Sequence, residues 1–144
     1  MIGVPLYDTE IKEFLEYYTN GANVVQTMDE FLNNDLAYSF KDNTFQVIFI
    51  EPVEGNIGHW IVVFLREGKN GKPVIEYFNS TGIRPPEVAV ATFDKWGVDW
   101  LYNPVQLQSL TSNTCGKWVI SRVMAQDVSL NEYVAIFMEN KEFS

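Results

Sequence analysis

The sequence predicts an α+β domain in which helices flank a small, mixed and mostly antiparallel sheet. Three apolar runs, each bounded by turn-forming residues, indicate buried strands, and segments with helical spacing of apolar residues precede and follow them. Apolar residues make up 47% of the 144 residues, which is ample for one core. We therefore predict that residues 1–144 form a single domain.

The N-terminal segment is predicted to be helical. Asp8 can cap a first helix whose apolar side chains share one face. Asn20-Gly21 can end this helix, because a left-handed residue is favoured at that position. Thr27 and Glu30 have the spacing of a capping box, which predicts a short second helix directly after them.

Three buried strands are predicted in the middle of the chain. Phe45–Ile50 and Trp60–Leu65 are almost wholly apolar, and a loop rich in Gly, Pro and Asn separates them. Asn70-Gly71 is typical of a hairpin turn, so the strand after it, Val74–Phe78, should pair antiparallel with the one before it.

The next elements are predicted to be a helix, a short strand and a loop. The helix covers Glu87–Trp96, with Pro86 suited to its first position and Gly97 to its end. The strand covers Val98–Tyr102. The loop runs from residue 103 to residue 114, with extended pairing possible over residues 105–108.

Two helices are predicted to close the fold. Apolar residues recur at helical spacing over Cys115–Met124. Ser129 and Glu132 repeat the capping-box pattern ahead of a last apolar segment, which indicates a final helix.

The charge and the residue counts exclude several classes of function. The net charge is −9, with ten Lys and Arg against nineteen Asp and Glu, so we expect no nucleic-acid partner. One cysteine and one histidine leave no internal disulfide and no multi-cysteine zinc site, and we expect neither a metal nor a cofactor. No secretory signal or membrane-spanning run is visible in the sequence, so we expect an intracellular protein that has no membrane partner and is not secreted.

Cys115 is a candidate nucleophile, because a polar run ends there and a helix is predicted to begin. Free N–H groups and the helix dipole favour a thiolate in the first turn of a helix. Gly116 leaves room for a ligand to approach the backbone beside the sulfur. The alternative is a buried structural cysteine, which a lone cysteine often is, although the polar residues 111–114 argue against that environment.

His59 and Asn79 are candidates for the base and for the group that orients it. His59 stands at the start of the strand Trp60–Leu65, and Asn79 follows the end of the strand Val74–Phe78, so the hairpin should bring the two side by side. Glu76 is the charged rival, but residues 76 and 79 face opposite sides of a regular strand. The alternatives are a loop histidine without a role and an asparagine that only forms a turn.

Gln108 is a candidate oxyanion donor together with the backbone N–H of Cys115, which follows it by seven residues. Gln106 would point the same way in an extended segment, so the choice between the two stays open, and either could be a solvated strand residue. Trp60 should point away from His59, and its side chain is interpreted as core packing.

These segments together resemble the adenain-like cysteine proteases. That group includes the adenovirus maturation protease, the Ulp1-type SUMO proteases and similar enzymes of virophages and other large DNA viruses. The resemblance covers residues 45–125 and is carried by three segments: Gly58-His59-Trp60, Asn79-Ser80-Thr81-Gly82, and Gln108 followed by Asn113-Thr114-Cys115-Gly116.

The resemblance implies a permuted papain-like fold with the nucleophile at a helix N-terminus. It implies that Cys115 attacks the scissile carbonyl as a thiolate and that His59 activates it and protonates the leaving amine. Gln108 would hold the oxyanion, and Trp60 would line a narrow channel that accepts glycines. Asn79 stands where the family usually has Asp or Glu, which leads us to expect slower turnover.

We expect from the resemblance a viral cysteine endopeptidase, that is, a thiol protease and hydrolase. It would process capsid or core precursors during virion maturation, after Gly-Gly or Gly-X, in the host cytoplasm or virus factory and in the virion. The alternatives are a deubiquitinase or deSUMOylase and a catalytically weak, protease-like binding module.

The resemblance also raises the question of activation, since the adenovirus enzyme uses DNA and a disulfide-linked peptide. The acidic composition argues against activation by DNA. The single cysteine leaves none for a disulfide to an activating peptide without using the nucleophile, so such a peptide would bind noncovalently.

Overall fold

A computed structural model of the chain describes residues 13–14, 16–17, 26–41, 44–50, 58–107 and 115–139. A five-stranded sheet lies at its centre, built from β1 (Gln26–Thr27), β2 (Phe45–Ile50), β3 (His59–Glu67), β4 (Pro73–Phe78) and β5 (Asp99–Tyr102). The strands lie in chain order across the sheet. β2, β3 and β4 pair antiparallel, whereas β1 and β5 pair parallel at the edges, which confirms the mixed sheet.

Five helices accompany the sheet in the described residues: α1 (Met28–Asn33), α2 (Leu36–Ser39), α3 (Glu87–Trp96), α4 (Cys115–Met124) and α5 (Leu130–Glu139). Residues 13–14 and 16–17 are also helical, inside the predicted first helix. Asp8 and Asn20-Gly21, its predicted ends, lie outside the described residues. None of the helices in the described part of the chain combines the length and the apolar character needed to cross a membrane.

Local signals account for most of the helix ends. Thr27 Oγ1 accepts from the backbone N–H of Glu30 at 3.2 Å, and the Glu30 carboxylate accepts from the Thr27 N–H at 2.9 Å, which confirms the capping box. Gly97 ends α3 in the left-handed conformation, with φ 73°. Pro86 is the N-cap and not the first helical residue, because its ψ of 158° is extended and α3 begins at Glu87.

The sequence predicted neither β1 nor α2, and the limits of β3 differ from the prediction. β4 begins one residue earlier than predicted, at Pro73, and β5 one residue later, at Asp99. β1 has two residues and α2 has four, which is too short for either to show a period of apolar residues. Asp35 nevertheless caps α2, because its side chain accepts from the Tyr38 N–H at 2.7 Å. β3 is longer than the predicted strand at both ends, since His59 pairs with Ile50 and Glu67 pairs with Pro73.

Helices cover both faces of the sheet, which explains why its central strands are apolar over most of their length. One face, called the α4 face here, packs against α4 and α5 through Val119, Val123, Leu130 and Tyr133. The opposite face, called the α3 face, packs against α1 and α3 through Phe31, Ala89 and Phe93. The strands therefore bury alternate side chains on opposite sides, and the last two helices close the α4 face as predicted.

A buried ion pair ties α4 to the sheet. The Arg122 side chain is 0% exposed, and its Nη2 donates to Glu76 Oε2 of β4 at 3.0 Å. Its guanidinium also donates to the carbonyls of Ala125 at 2.8 Å and Val128 at 3.0 Å, so it holds the turn between α4 and α5. Arg66 contacts the other carboxylate oxygen of Glu76 at 3.4 Å.

Replacing Arg122 should destabilise the fold strongly. Arg122→Met removes the closer partner of the buried Glu76 carboxylate and leaves the 3.4 Å contact with Arg66. We therefore expect the free energy of unfolding to fall by about 3 kcal/mol. Lys72→Met, which removes the exposed partner of Asp99, should cost less than about 1 kcal/mol. Urea denaturation measures both. Equal, small losses for the two variants would contradict a structural role for the Arg122–Glu76 pair.

Candidate active site

His59 and Asn79 meet at one end of the β3–β4 hairpin. Val62 pairs with Phe78, so the next residue, Asn79, stands opposite Ile61 and lies on the same face of the hairpin. His59 comes two residues before Ile61 and therefore also lies on that face. His59 Nε2 lies 2.6 Å from Asn79 Oδ1. The predicted juxtaposition of base and orienting residue is therefore present in the structure, although a catalytic role for the two residues stays a prediction.

The hydrogen bonds around Asn79 determine which atom of its amide faces the histidine. Asn79 Oδ1 also accepts from the backbone N–H of Thr81 at 3.0 Å and from Thr81 Oγ1 at 2.7 Å. A backbone N–H can only donate, so the atom in this position is the oxygen. His59 Nε2 must then carry a hydrogen and donate it. In the neutral ring, Nδ1 is left with a lone pair that can accept a proton.

The environment of His59 favours its neutral form. Burial lowers the pKa of the imidazole from its ordinary value of 6.5, and the hydrogen bond to Asn79 opposes this shift. A neutral imidazole with a free Nδ1 lone pair is the state that a general base requires before reaction.

Glu76 is not the partner of His59. Its side chain lies on the α4 face, where it pairs with Arg122, as the alternation along β4 predicts. Asn79, at 4% exposure, is thus the residue that contacts the ring, and it carries no charge. Among the described residues, no group of three or more His, Cys, Asp or Glu side chains is arranged to hold a metal ion.

Asn103 is a residue of this site that the sequence analysis missed. It is 1% exposed, and its side chain binds the backbone of Asn79 at both the N–H and the carbonyl. A signal for it exists in the sequence. Asn103 directly follows β5 as Asn79 directly follows β4, and parallel neighbours end at the same edge of a sheet.

The chain that leads toward Gln108 is attached to the Asn79 turn. The Leu107 N–H donates to the Ser80 carbonyl at 2.8 Å, and the described residues 105–107 form no strand where extended pairing over residues 105–108 was predicted. Gln106 is exposed, and Gln108 lies outside the described residues. The choice between Gln106 and Gln108 as oxyanion donor therefore stays open.

Cys115 is the first residue of α4, as predicted, and α4 packs against β3, the strand that His59 begins. The contact between these elements is made through Val119 and Val123 in the core of the α4 face. Gly116 is buried. The Cys115 side chain lies outside the described residues, so its contact with His59 and the ligand-binding role of Gly116 stay predictions.

Trp60 lies in the core of the α4 face. It is 2% exposed, and its ring centroid is 4.7 Å from that of Phe49. The burial agrees with core packing, and a place in a substrate channel stays a prediction. A Cβ at Gly58 would overlap the Phe49 ring, so a larger residue there would require that ring to move.

Comparisons with known proteins give matches in structure alone. No protein-family model matches the chain, and no curated protein matches its sequence. The crystal structure of the ASFV pS273R protease matches with a TM-score of 0.64 and 19% identity, over 88% of this chain and 60% of that one. Its selenomethionine form gives a TM-score of 0.63 and 17% identity over the same shares.

The chain has the fold of the ASFV pS273R protease. This confirms the predicted fold class and the resemblance to adenain-like and Ulp1-like cysteine proteases at the level of fold. The ubiquitin-like protein protease XopD of Xanthomonas matches over 83% of this chain and 79% of that one, at 12% identity and a TM-score of 0.47, too low to add support. The chain spans 60% of the length of the ASFV protease, so the shared fold does not by itself assign an activity or a substrate to this chain.

The half-buried His59 should make stability depend on pH. Its pKa is lowered in the folded state, so below pH 6.5 the unfolded chain binds more protons than the folded one. The stability that the neutral ring contributes is present above 6.5 and is lost as the pH falls through the folded-state pKa. We expect the free energy of unfolding to fall more for the wild type than for His59→Gln between about pH 7.5 and pH 5.

Urea denaturation of the two proteins at both pH values measures this difference. All other titrating groups are common to both proteins, so their contributions cancel. A larger acid loss in His59→Gln than in the wild type would contradict a lowered pKa.

Proposed function

We propose that the protein is a cysteine peptidase that hydrolyses peptide bonds with Cys115 as nucleophile and His59 as base. The observation that carries this proposal is the 2.6 Å contact between His59 Nε2 and Asn79 Oδ1, in a fold shared with a cysteine protease. Support comes also from the position of Cys115 at the start of a helix that packs on β3. A lone histidine and a lone cysteine with unrelated structural roles would not require this arrangement.

The proposed reaction follows from the protonation state of the pair. His59 Nδ1 takes the proton of the Cys115 thiol, and the sulfur attacks the carbonyl carbon of the scissile bond. The tetrahedral intermediate collapses to a thioester while the imidazolium gives that proton to the leaving amine. Water then attacks the thioester, with His59 accepting its proton and returning it to the sulfur, and the acid product leaves. Throughout, Nε2–H donates to Asn79.

The oxyanion of the intermediate needs donors, and two are proposed. The backbone N–H of Cys115 belongs to the first turn of α4, where N–H groups have no partner inside the helix. The second donor is the side chain of Gln108 or Gln106. Loss of one such donor typically costs 10²- to 10³-fold in turnover.

The proposed substrates are polypeptides, and more specifically viral structural precursors cleaved after Gly-Gly or Gly-X during virion maturation. The fold shared with a viral protease and the sequence resemblance to the viral branch support this choice. We place the activity in the host cytoplasm or virus factory and in the virion. No DNA and no disulfide-linked peptide is proposed as activator.

Alkylation of the thiol tests the pairing of Cys115 and His59. Cys115 is the single cysteine, so incorporation of iodoacetamide near neutral pH reports on it alone. The neutral His59 ring can take the thiol proton as the sulfur attacks iodoacetamide, so His59→Ala should slow alkylation by about 10-fold or more. Ser129→Ala, which removes the cap of α5, is the control and should leave the rate unchanged.

The same proteins and a further variant, Cys115→Ala, are assayed on fluorogenic Gly-Gly peptides. We expect cleavage by the wild type and none by Cys115→Ala or His59→Ala. A thiol of ordinary reactivity, indifferent to His59→Ala, would instead indicate a protease-like binding module. Labelling of Cys115 by ubiquitin or SUMO vinyl-ester probes would indicate an isopeptidase that acts on a modifier.

Asn79→Asp tests the neutral orienting residue. A carboxylate would accept a charge-assisted hydrogen bond from the imidazolium and stabilise it by roughly 1 kcal/mol more than the amide does. We expect kcat on a cleaved peptide to rise by about 5- to 10-fold. Asn34→Asp, at an exposed position remote in sequence, is a matched control for the added charge and should leave kcat unchanged. A kcat for Asn79→Asp at or below that of the parent would contradict the expectation.

A further inference from the structure

The side chain of Asn103 forms a two-point clamp on the backbone of Asn79. Its Oδ1 accepts from the Asn79 N–H at 3.0 Å, and its Nδ2 donates to the Asn79 carbonyl at 2.7 Å. Both backbone groups have fixed roles, so the orientation of the Asn103 amide is determined. Nδ2 also donates to the carbonyl of Val105 at 3.3 Å.

The clamp continues the sheet where its ladder must stop. β4 and β5 pair in parallel up to Tyr77 and Tyr102. Pro104 has no N–H, so the backbone beyond β5 cannot continue a regular ladder. In a longer ladder, the backbone of a neighbouring strand would bind the N–H and the carbonyl of Asn79. Here the Asn103 side chain binds both groups, and it thereby orders the first residue beyond the end of β4.

The same contacts join two segments that the candidate site needs together. The turn over residues 79–82 is closed by the Gly82 N–H donating to the Asn79 carbonyl at 2.8 Å. Gly82 has φ 77°, and a Cβ there would lie 2.8 Å from Gln106 N and from the carbonyl carbon of Val105. The turn and the segment over residues 103–107 therefore pack backbone against backbone, with Asn103 at one end and the Leu107–Ser80 bond at the other.

We propose that Asn103 is a positioning residue that acts through Asn79, keeping its Oδ1 directed at His59 and fixing residues 103–107 against the same turn. This inference rests on the proposed function of His59 as base. Asn103 touches no reacting atom. Its two bonds set the backbone of Asn79, and the bonds from Thr81 set the side-chain oxygen, so the ring of His59 faces an acceptor whose position is fixed from both sides.

The consequence for His59 is a single tautomer. An oxygen held opposite Nε2 requires the hydrogen there and leaves Nδ1 free for a proton from the thiol. When Asn103 is lost, Asn79 can turn or shift, and the hydrogen can occupy either nitrogen. A 1 Å displacement at such a site can cost about 10²-fold in rate.

Nitrogen-15 NMR of labelled protein reads this tautomer directly, because His59 is the only histidine in the chain. The wild type should show one neutral form with the hydrogen on Nε2. Asn103→Ala should show a mixture of both forms. Asn103→Asp keeps the acceptor for the Asn79 N–H but sets a carboxylate oxygen against the Asn79 carbonyl, so it should also show both forms, and it carries the same comparison if the alanine variant does not fold.

Kinetics on the fluorogenic peptide give the second readout. We expect kcat to fall by about 10- to 100-fold in Asn103→Ala, with KM changed by less than about 2-fold, because the defect lies in the base and not in substrate binding. Ser129→Ala is the control for lost stability at a distant cap. It should lower the unfolding temperature while leaving both the tautomer and kcat unchanged.

The two readouts separate failure of this inference from failure of the proposed function. A folded Asn103→Ala or Asn103→Asp protein that keeps the single tautomer and a kcat within about 2-fold of the wild type would overturn the positioning role. A wild type that cleaves no peptide would count against the proposed function, while a tautomer lost in the Asn103 variants would still support positioning.

Discussion

The β3–β4 hairpin pairs Val62 with Phe78, and this register decides where the polar groups of the candidate site lie. Side chains alternate along a strand, so a shift by one residue would move Asn79 to the opposite face from His59. Buried apolar residues on both faces make such a shift costly, because every residue of β3 from Trp60 to Phe64 would exchange its surroundings. The core thus fixes the geometry of a hydrogen bond that lies at its edge.

Because of the same alternation, the one carboxylate of β4 points into the core. Glu76 points to the α4 face, where Arg122 binds it and also binds carbonyls in the turn between α4 and α5. Cys115 begins the helix that carries Arg122, so this ion pair helps to set where the first turn of α4 lies relative to the sheet. The charge nearest to His59 along β4 is therefore used to place a helix, and the residue that contacts the ring is neutral.

Local signals predicted a large part of this arrangement. β2, α3 and α4 have the predicted limits, because their apolar spacing and end residues are properties of short segments. The His59–Asn79 contact could be expected too, since a tight hairpin connects their strands. Asn103 has only a weaker signal, its place directly after β5, because its role also depends on the parallel pairing of β4 with β5 across the intervening α3. No residue pattern near Asn103 reports that pairing.

A neutral orienting residue suits the environment at this end of the sheet. Asn79 is 4% exposed, and its Oδ1 already accepts two hydrogen bonds from Thr81 besides the one from His59. A carboxylate there would be desolvated, and in the resting state it would face a neutral imidazole, with no formal positive charge on the ring to compensate. The amide avoids that cost and still selects the tautomer, because selection needs only an acceptor in a fixed place. It gives up the charge that would stabilise the imidazolium once the proton has moved. The arrangement therefore favours a stable, ordered resting site over the fullest stabilisation of the charged intermediate.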